Sequence, residues 1–271
     1  MDKPLYTPAK ISFIIPTLNN NKLLEQCIKS INDVCMAGAS ASIPYEIIVV
    51  KDGSPSGINQ SLKEMSAELS FRLIENSTYL GYTGTINLGI RNSSGDLLIL
   101  LNDDIRFEQK EWLSLILDTL QKSPRVGIIG CRLLYPNRRI QHGGMYYCGG
   151  LQLLGHRSWG RRENTPDALK ICKTAAVTGA ILVVRRPVVD DIGLLNEDFT
   201  MLCSDTDYCL SAHQKGWMII YNGKAYAIHH ESQTRRSLGS RLLGAVEQRD
   251  LIKFYRKWSR VLSYMHARKM I

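Results

Sequence analysis

Four short polar segments of this 271-residue chain hold side chains that can do chemistry. Asn102-Asp103-Asp104 follows an apolar run, Leu97 to Leu101. Adjacent carboxylates at the end of a buried strand repel one another, which costs free energy unless a cation or hydrogen bonds offset it. Hard divalent cations take oxygen ligands, and Mg²⁺ commonly joins one or two carboxylates to substrate phosphates. Capping a helix is the other use of Asp at such a place. Asp52 lies in Val49-Val-Lys-Asp-Gly-Ser54, at a second strand end. Its carboxylate can accept the N3–H of a uracil or thymine ring, or it can bond the backbone of its own turn. Ser204-Asp-Thr-Asp207 precedes a helical pattern. There Asp205 can take the proton of an attacking hydroxyl, while Asp207 falls in the first turn, where it complements the helix dipole. His229-His230-Glu231 closes a short strand, where a neutral imidazole can ligate a metal and where paired histidines can equally be polar surface.

The elements that must position these groups alternate in the first half. Ile11 to Ile15, Glu46 to Val50, Phe71 to Glu75, Leu97 to Leu101 and Val126 to Gly130 read as strands. Helical spacing falls between them, over Leu23 to Met36, Asn59 to Leu69, Thr83 to Asn92 and Glu108 to Lys122. Continuous apolar strands separated by helices predict a parallel sheet covered on both faces. Ligands gather at the carboxyl ends of such strands, and the loops at Thr17, Asp52 and Asp103 each follow one. The second half is less regular. Arg132 to Arg162 reads as loops with short strands, Val177 to Arg185 as a buried strand, and Thr206 to Gly216 as a helix. Ala225 to His229 reads as a short strand, and Arg241 to Tyr264 as an amphipathic helix. The expectation is one compact unit over 1–233 with a basic helical extension over 234–271.

Composition is that of a folded globular protein, with 44% hydrophobic and 22% charged residues. Seven scattered cysteines without a C-x-x-C pair predict reduced thiols in a cytosolic setting. No secretory leader is expected from Met1 to Lys10, and the longest apolar run, Ala175 to Val184, is too short to span a bilayer. The formal charge is +9, and from Arg235 onward ten Lys or Arg face only Glu247 and Asp250. That helix, with Leu243, Val246, Leu251, Phe254, Trp258 and Leu262 along one face, can pack on the preceding residues or lie on an anionic membrane surface. A nucleic-acid partner is not expected, because clustered aromatic and basic motifs are missing.

Taken in order, these segments resemble family 2 of the glycosyltransferases, which has the GT-A fold. The resemblance runs from Ile11 to Ser232. It is carried by Ile14-Ile-Pro-Thr-Leu-Asn19, by the Asp52 loop, by Leu80-Gly-Tyr-Thr-Gly-Thr-Ile-Asn-Leu-Gly89 and by Leu100-Leu-Asn-Asp-Asp104. Val177-Thr-Gly-Ala180, Cys203-Ser-Asp-Thr-Asp207 with Gly216-Trp217, and Ile228-His-His-Glu-Ser232 complete it. Gln141-His-Gly-Gly144 and Gly155-His156 resemble a loop pair of rhamnosyltransferase-like members that build bacterial surface polysaccharides. The resemblance implies an α/β fold with a mainly parallel nucleotide-binding sheet, a small mixed acceptor-side region and the C-terminal helical extension.

It also implies roles. Asp205 is the catalytic base. Pro16, Thr17, Asn19, Asp52, Gly81, Asn87, Asn102 and Asp103 bind the nucleotide-sugar donor, and Asp52 recognises a pyrimidine base. Asp104 and His229 hold Mg²⁺ or Mn²⁺, and Thr178, Gly179, Ser204 and Trp217 lie on the acceptor side. The implied reaction is an inverting, metal-dependent transfer of a sugar from a UDP or dTDP donor to a hydroxyl of a glycan or lipid-linked acceptor. The chain departs from the family pattern at Asn102, which opens the D-x-D-like triplet, and at Ser204, where an acidic residue usually precedes the base. Those departures favour the alternative of a catalytically silent nucleotide-sugar-binding module. A nucleotidyltransferase is the further alternative, but Thr17-Leu-Asn-Asn-Asn21 does not supply the Gly-rich basic phosphate loop that one needs.

Overall fold

A computed structural model of the chain describes residues 6–18, 21–53, 60–150, 153–231 and 240–268. Its main sheet is built on β1 (Ile11–Thr17), β2 (Tyr45–Lys51), β3 (Arg72–Glu75), β4 (Leu97–Leu101), β6 (Val126–Leu134), β10 (Ile171–Lys173), β11 (Ile181–Arg185) and β12 (Met218–His229). The order across it is β10-β12-β6-β11-β4-β1-β2-β3, with β5 (Ile105–Arg106) added to β12 and β7 (Ile140–His142) to β6. β1, β2, β3 and β4 are parallel, as are β6 and β12, whereas β11 runs antiparallel to both β4 and β6. β8 (Met145–Gly149) and β9 (Leu153–His156) form a separate antiparallel pair.

The apolar strands are continuous because both faces are covered, and the period of two decides which side each residue serves. Phe13 and Ile15 of β1 and Leu97, Ile99 and Leu101 of β4 enter one core with α1 (Asn21–Cys35) and α4 (Trp112–Gln121). Ile14, Leu98 and Leu100 point the other way, into a second core with Ile86 and Ile90 of α3 (Gly81–Arg91). That second core also takes Tyr208, Cys209 and Leu210 of α6 (Ser204–Gln214). α2 (Gln60–Glu68) and α5 (Arg186–Ile192) complete the helices that precede the last one.

β12 and β6 run well beyond the sequence expectation. β12 is a twelve-residue strand rather than the short Ala225 to His229 segment. Its middle, Asn222-Gly223-Lys224, is polar because it forms a bulge, where the register against β6 jumps from Asn222 to Tyr226. The Asn222 side-chain oxygen accepts the N–H groups of Lys224 and Ala225 there. A Cβ on Gly223 would lie 2.0 Å from the Ala168 carbonyl oxygen, so the close approach requires glycine. β6 likewise runs on to Leu134 and pairs with β7, within the stretch expected to be mostly loop.

α7 (Ser240–Ala267) packs part of its apolar face on the preceding elements. Phe254, Trp258 and Leu262 are each no more than 2% exposed and belong to the second core. Three of the six residues expected along the apolar face are therefore covered by protein, and Val246 and Leu251 are half-buried. Polar ties fix the register. The Trp258 indole donates to Asp207 Oδ1 at 2.7 Å, and the N–H groups of Thr200, Met201 and Leu202 all donate to Asp250 Oδ2. Among the described residues no helix is long and apolar enough to cross a membrane. The expected boundary at 233/234 lies outside the described residues. Trp258→Ala is expected to destabilise the protein by about 3–5 kcal/mol, the range for emptying a large aromatic site in a core, as measured by urea unfolding.

Candidate active site

β1, β2, β4 and β12 end at one edge of the sheet, at Thr17, Lys51, Leu101 and His229. Because β11 is antiparallel, the segment leading into it brings Thr178, Gly179 and Ala180 to the same edge, where the Asn102 N–H donates to the Ala180 carbonyl. The result is a cleft of about 320 Å³. Pro16, Thr17, Asp52, Asn102, Asp103 and Asp104 line it from the strand ends. Thr178, Gly179, Ser204, Asp205 and His229 close the other side.

Asp52 is buried and spans two elements. Its Oδ1 accepts the Leu80 N–H at 2.8 Å and its Oδ2 the Gly81 N–H at 2.9 Å, so it caps the start of α3. Gly81 takes a positive φ of 70°, and a Cβ there would lie 3.1 Å from Thr200 Cγ2. The carboxylate thus bonds a distant backbone segment rather than its own turn. An ionised carboxylate has roughly four acceptor positions, which leaves capacity on the cleft side.

Asp103 accepts a 2.6 Å hydrogen bond from the Thr17 hydroxyl. Burial pushes its pKa up to about 7; the Thr17 bond opposes the rise and the charge of Asp104 adds to it. Asp104 and His229 are both buried, with Asp104 Oδ1 3.0 Å from His229 Nε2. Asn102 Nδ2 lies 3.3 Å from the same ring nitrogen. The other nitrogen, Nδ1, is 2.6 Å from Gln141 Oε1, and Gln141 Nε2 donates to Glu231 Oε2 at 2.9 Å. His230 contributes through its backbone, donating its N–H to the Asp104 carbonyl.

The pair Asp104 and His229 fits a divalent cation on its chemistry. Asp104 Oδ1 is buried without a hydrogen-bond donor and converges on an imidazole nitrogen. Among the described residues no group of three or more His, Cys, Asp or Glu forms a full ligand set. A cation at this pair would draw its remaining ligands from substrate phosphates and water, as Mg²⁺ commonly does.

Asp205 sits in the first turn of α6, with both oxygens held by backbone. Oδ2 accepts the Gly179 N–H at 2.5 Å and Oδ1 the Thr206 N–H at 2.7 Å. Desolvation raises its pKa; the two N–H groups oppose the rise, as does the nearby His156. Glycine is required at 179, since a Cβ would lie 2.9 Å from the Tyr82 hydroxyl and 3.2 Å from Asp205 Cβ. That hydroxyl donates to the Gly179 carbonyl at 2.8 Å and pins the loop. Ser204 is buried at the start of α6 and follows Cys203, which adopts a left-handed φ of 66°. A second cleft, of about 360 Å³, lies beyond Asp205. It shares Thr178, Leu202, Cys203, Asp205, His229 and Glu231 with the first.

Two expected site side chains stand apart from the clefts. Asn87 lies in α3 and ties the backbone of Leu195 and the side chain of Glu197, a staple between segments rather than a cleft wall. Trp217 precedes the amino end of β12, across the sheet from His229. Its indole donates to Asp191 and its ring covers Gly127, where a Cβ would meet it at 2.8 Å. Asn19 lies outside the described residues. Conversely, Tyr82, Gln141, His156 and Glu231 join the clefts without having been assigned a role. Gln141 and His156 belong to the two loops singled out in the sequence; His156 meets His142 of the other loop at 2.9 Å, whereas the partners of Gln141, His229 and Glu231, are far away in the chain. Trp159, 66% exposed at the second cleft, carries no local signal at all.

A cleft at the carboxyl edge of a mixed sheet, with adjacent carboxylates just after a central strand and an antiparallel strand beside it, fits the GT-A class of fold. The model of the family described as Glycosyl transferase family 2 matches residues 12–193, and the chain belongs to that family. An uncharacterized protein of Sinorhizobium fredii, y4gI, is 31% identical over 241 residues, covering 86% of this chain and 26% of that protein. The O-antigen biosynthesis protein RfbC of Myxococcus xanthus is 27% identical over 241 residues, covering 86% of this chain and 18% of that protein. The chain therefore spans about a quarter or less of the length of these curated relatives. Among solved structures, the mannosyltransferase PcManGT of Pyrobaculum calidifontis, in complex with GDP-Man and Mn²⁺, superposes with a TM-score of 0.66 at 16% identity. That match covers 95% of this chain and 66% of that one. GalNAc-T7 with UDP, GalNAc and Mn²⁺ gives 0.65 at 14% identity, covering 84% of this chain and 44% of that one. These likenesses show the GT-A fold.

The Asp52 cap yields a prediction independent of function. Asp52→Ala leaves the Leu80 and Gly81 N–H groups without their acceptor and should cost about 1–3 kcal/mol. Urea unfolding measures the loss, and faster amide exchange at Leu80 and Gly81 localises it.

Proposed function

We infer that the chain is an inverting glycosyltransferase that moves a sugar from a nucleoside-diphosphate donor to a hydroxyl of a glycan or lipid-linked acceptor. Bacterial surface-polysaccharide synthesis is the setting that the RfbC relative favours. The observation that carries this reading is the position of Asp205. It stands on the wall common to two clefts, one lined by the strand-end carboxylates and the other by Tyr135, His156 and Trp159. A base between donor and acceptor chambers can serve a direct displacement.

In this reading the donor occupies the first cleft. Asp52 turns its free acceptor capacity to the N3–H of a pyrimidine, which favours UDP or dTDP. Thr17 holds Asp103 in place beneath the diphosphate. Asp104 and His229 would hold Mg²⁺ or Mn²⁺, whose bound charge would offset the charge that develops on the leaving diphosphate. The acceptor enters through the second cleft. Its hydroxyl oxygen attacks the anomeric carbon from the side opposite the nucleotide while Asp205 takes the proton. The bond from that carbon to the phosphate oxygen breaks, and the diphosphate leaves with the electron pair. A single displacement inverts the anomeric configuration. The Gly179 and Thr206 N–H groups keep the Asp205 carboxylate aimed, and its raised pKa makes it a stronger base than an exposed Asp. Seven free cysteines suit a reducing, cytoplasmic setting.

A panel of UDP- and dTDP-sugars incubated with Mn²⁺ tests the reaction through the slow transfer to water, which needs no known acceptor. Asp205→Asn should slow nucleotide release by about 10²–10⁴-fold, the usual worth of a general base, while donor binding persists. The base must be ionised to act. Activity should therefore fall on the acid side through an apparent pKa above the ordinary Asp value of about 3.9. Unchanged turnover in Asp205→Asn, or a released sugar of retained configuration, contradicts the mechanism.

A further inference from the structure

We propose that Gln141 is a positioning residue that fixes the tautomer of His229, so that Nε2 offers a lone pair toward Asp104 and any cation bound between them. The proposal rests on the metal reading of that pair given above and adds what makes His229 a ligand.

Glu231, as an ionised carboxylate, only accepts. It receives Gln141 Nε2 at 2.9 Å. The amide of Gln141 is thereby oriented, its NH₂ toward Glu231 and its oxygen toward His229. Gln141 Oε1 is 2.6 Å from His229 Nδ1 and can only accept, so Nδ1 carries the proton. In the neutral ring Nε2 is then bare. It faces Asp104 Oδ1 at 3.0 Å, an oxygen with no hydrogen-bond donor of its own. Two electron pairs at that separation repel, and a cation between them turns the repulsion into binding. Asn102 Nδ2, at 3.3 Å, can donate to Nε2 when no ion is present.

The fold holds this relay rigid. Gln141 is the middle residue of β7, buried to 7% exposure between Ile140 and His142, whose side chains are fully buried. β7 is hydrogen-bonded to β6, the parallel neighbour of β12, so Gln141 and His229 ride on one sheet although 88 residues apart. Residues that orient a metal-binding histidine through its second nitrogen commonly change metal affinity by about 10- to 100-fold when removed.

Two measurements test the proposal. In protein labelled with ¹⁵N at histidine, long-range proton–nitrogen NMR at a pH where the ring is neutral should show His229 protonated at Nδ1. A proton on Nε2 with Nδ1 bare overturns the proposal without any substitution. Next, Mn²⁺ affinity is measured by electron paramagnetic resonance titration in the presence of UDP. Gln141→Leu should weaken it by about 10-fold or more, while UDP affinity in EDTA stays at the wild-type value. The exchanged pair, Gln141→Glu with Glu231→Gln, keeps an acceptor on Nδ1 and a donor behind it. It should return Mn²⁺ affinity to within a few-fold of wild type. Wild-type affinity in Gln141→Leu, or an exchanged pair as weak as Gln141→Leu, also overturns the proposal. Failure of the wild type to bind Mn²⁺ at all removes the metal reading instead, and the tautomer measurement still decides what Gln141 does.

Discussion

Desolvated negative charge at one edge of the sheet is the constraint on which the rest of this structure depends. Asp52, Asp103 and Asp104 are all at most 6% exposed, and Asp205 faces them across the cleft. Carboxylates so placed are costly unless each is answered, and the fold answers them one at a time. Asp52 receives the first N–H groups of α3, Asp103 the hydroxyl of Thr17, and Asp205 the N–H groups of Gly179 and Thr206. Asp104 Oδ1 alone among these is left facing an imidazole nitrogen with no donor. The compensation is uneven: three groups are held by fixed donors, and one oxygen is left without any.

The C-terminal helix belongs to the same arrangement. Asp250 gathers the N–H groups of Thr200, Met201 and Leu202, and the last two of these residues line the first cleft. Asp207, two residues beyond Asp205, is tied to Trp258 and Lys257. α7 therefore braces the loop that carries Asp205, and its basic surface adds to the +9 charge of the chain. The helix looked like an appendage because its charge is conspicuous in sequence and its partners are not.

What the sequence disclosed follows from what is local. Buried strands such as Leu97–Leu101 are apolar throughout, and the polar loops that follow them mark the carboxyl edge, so Thr17, Asp52, Asp103 and Asp104 were legible as a convergent set. Long-range choices were not. The partners of Asp52 lie 28 and 29 residues away, and those of His229 include Gln141, 88 residues earlier. The bulge at Asn222 to Lys224 interrupts the apolar pattern that would have extended the strand back to Met218, since its polar residues satisfy backbone groups inside the sheet. Asn87 and Trp217 followed motif position toward the site, yet their side chains brace Leu195, Glu197 and Asp191 instead.

The proposed function requires the first cleft to bind a nucleoside diphosphate together with a divalent cation at Asp104. Calorimetric titration of UDP, dTDP and GDP, each with Mn²⁺ and with EDTA, tests it most directly when run on wild type and Asp104→Ala. The account predicts Mn²⁺-dependent binding of a pyrimidine nucleotide, lost in the variant while its unfolding transition is preserved. Absence of binding by any of the three to folded wild-type protein would contradict it.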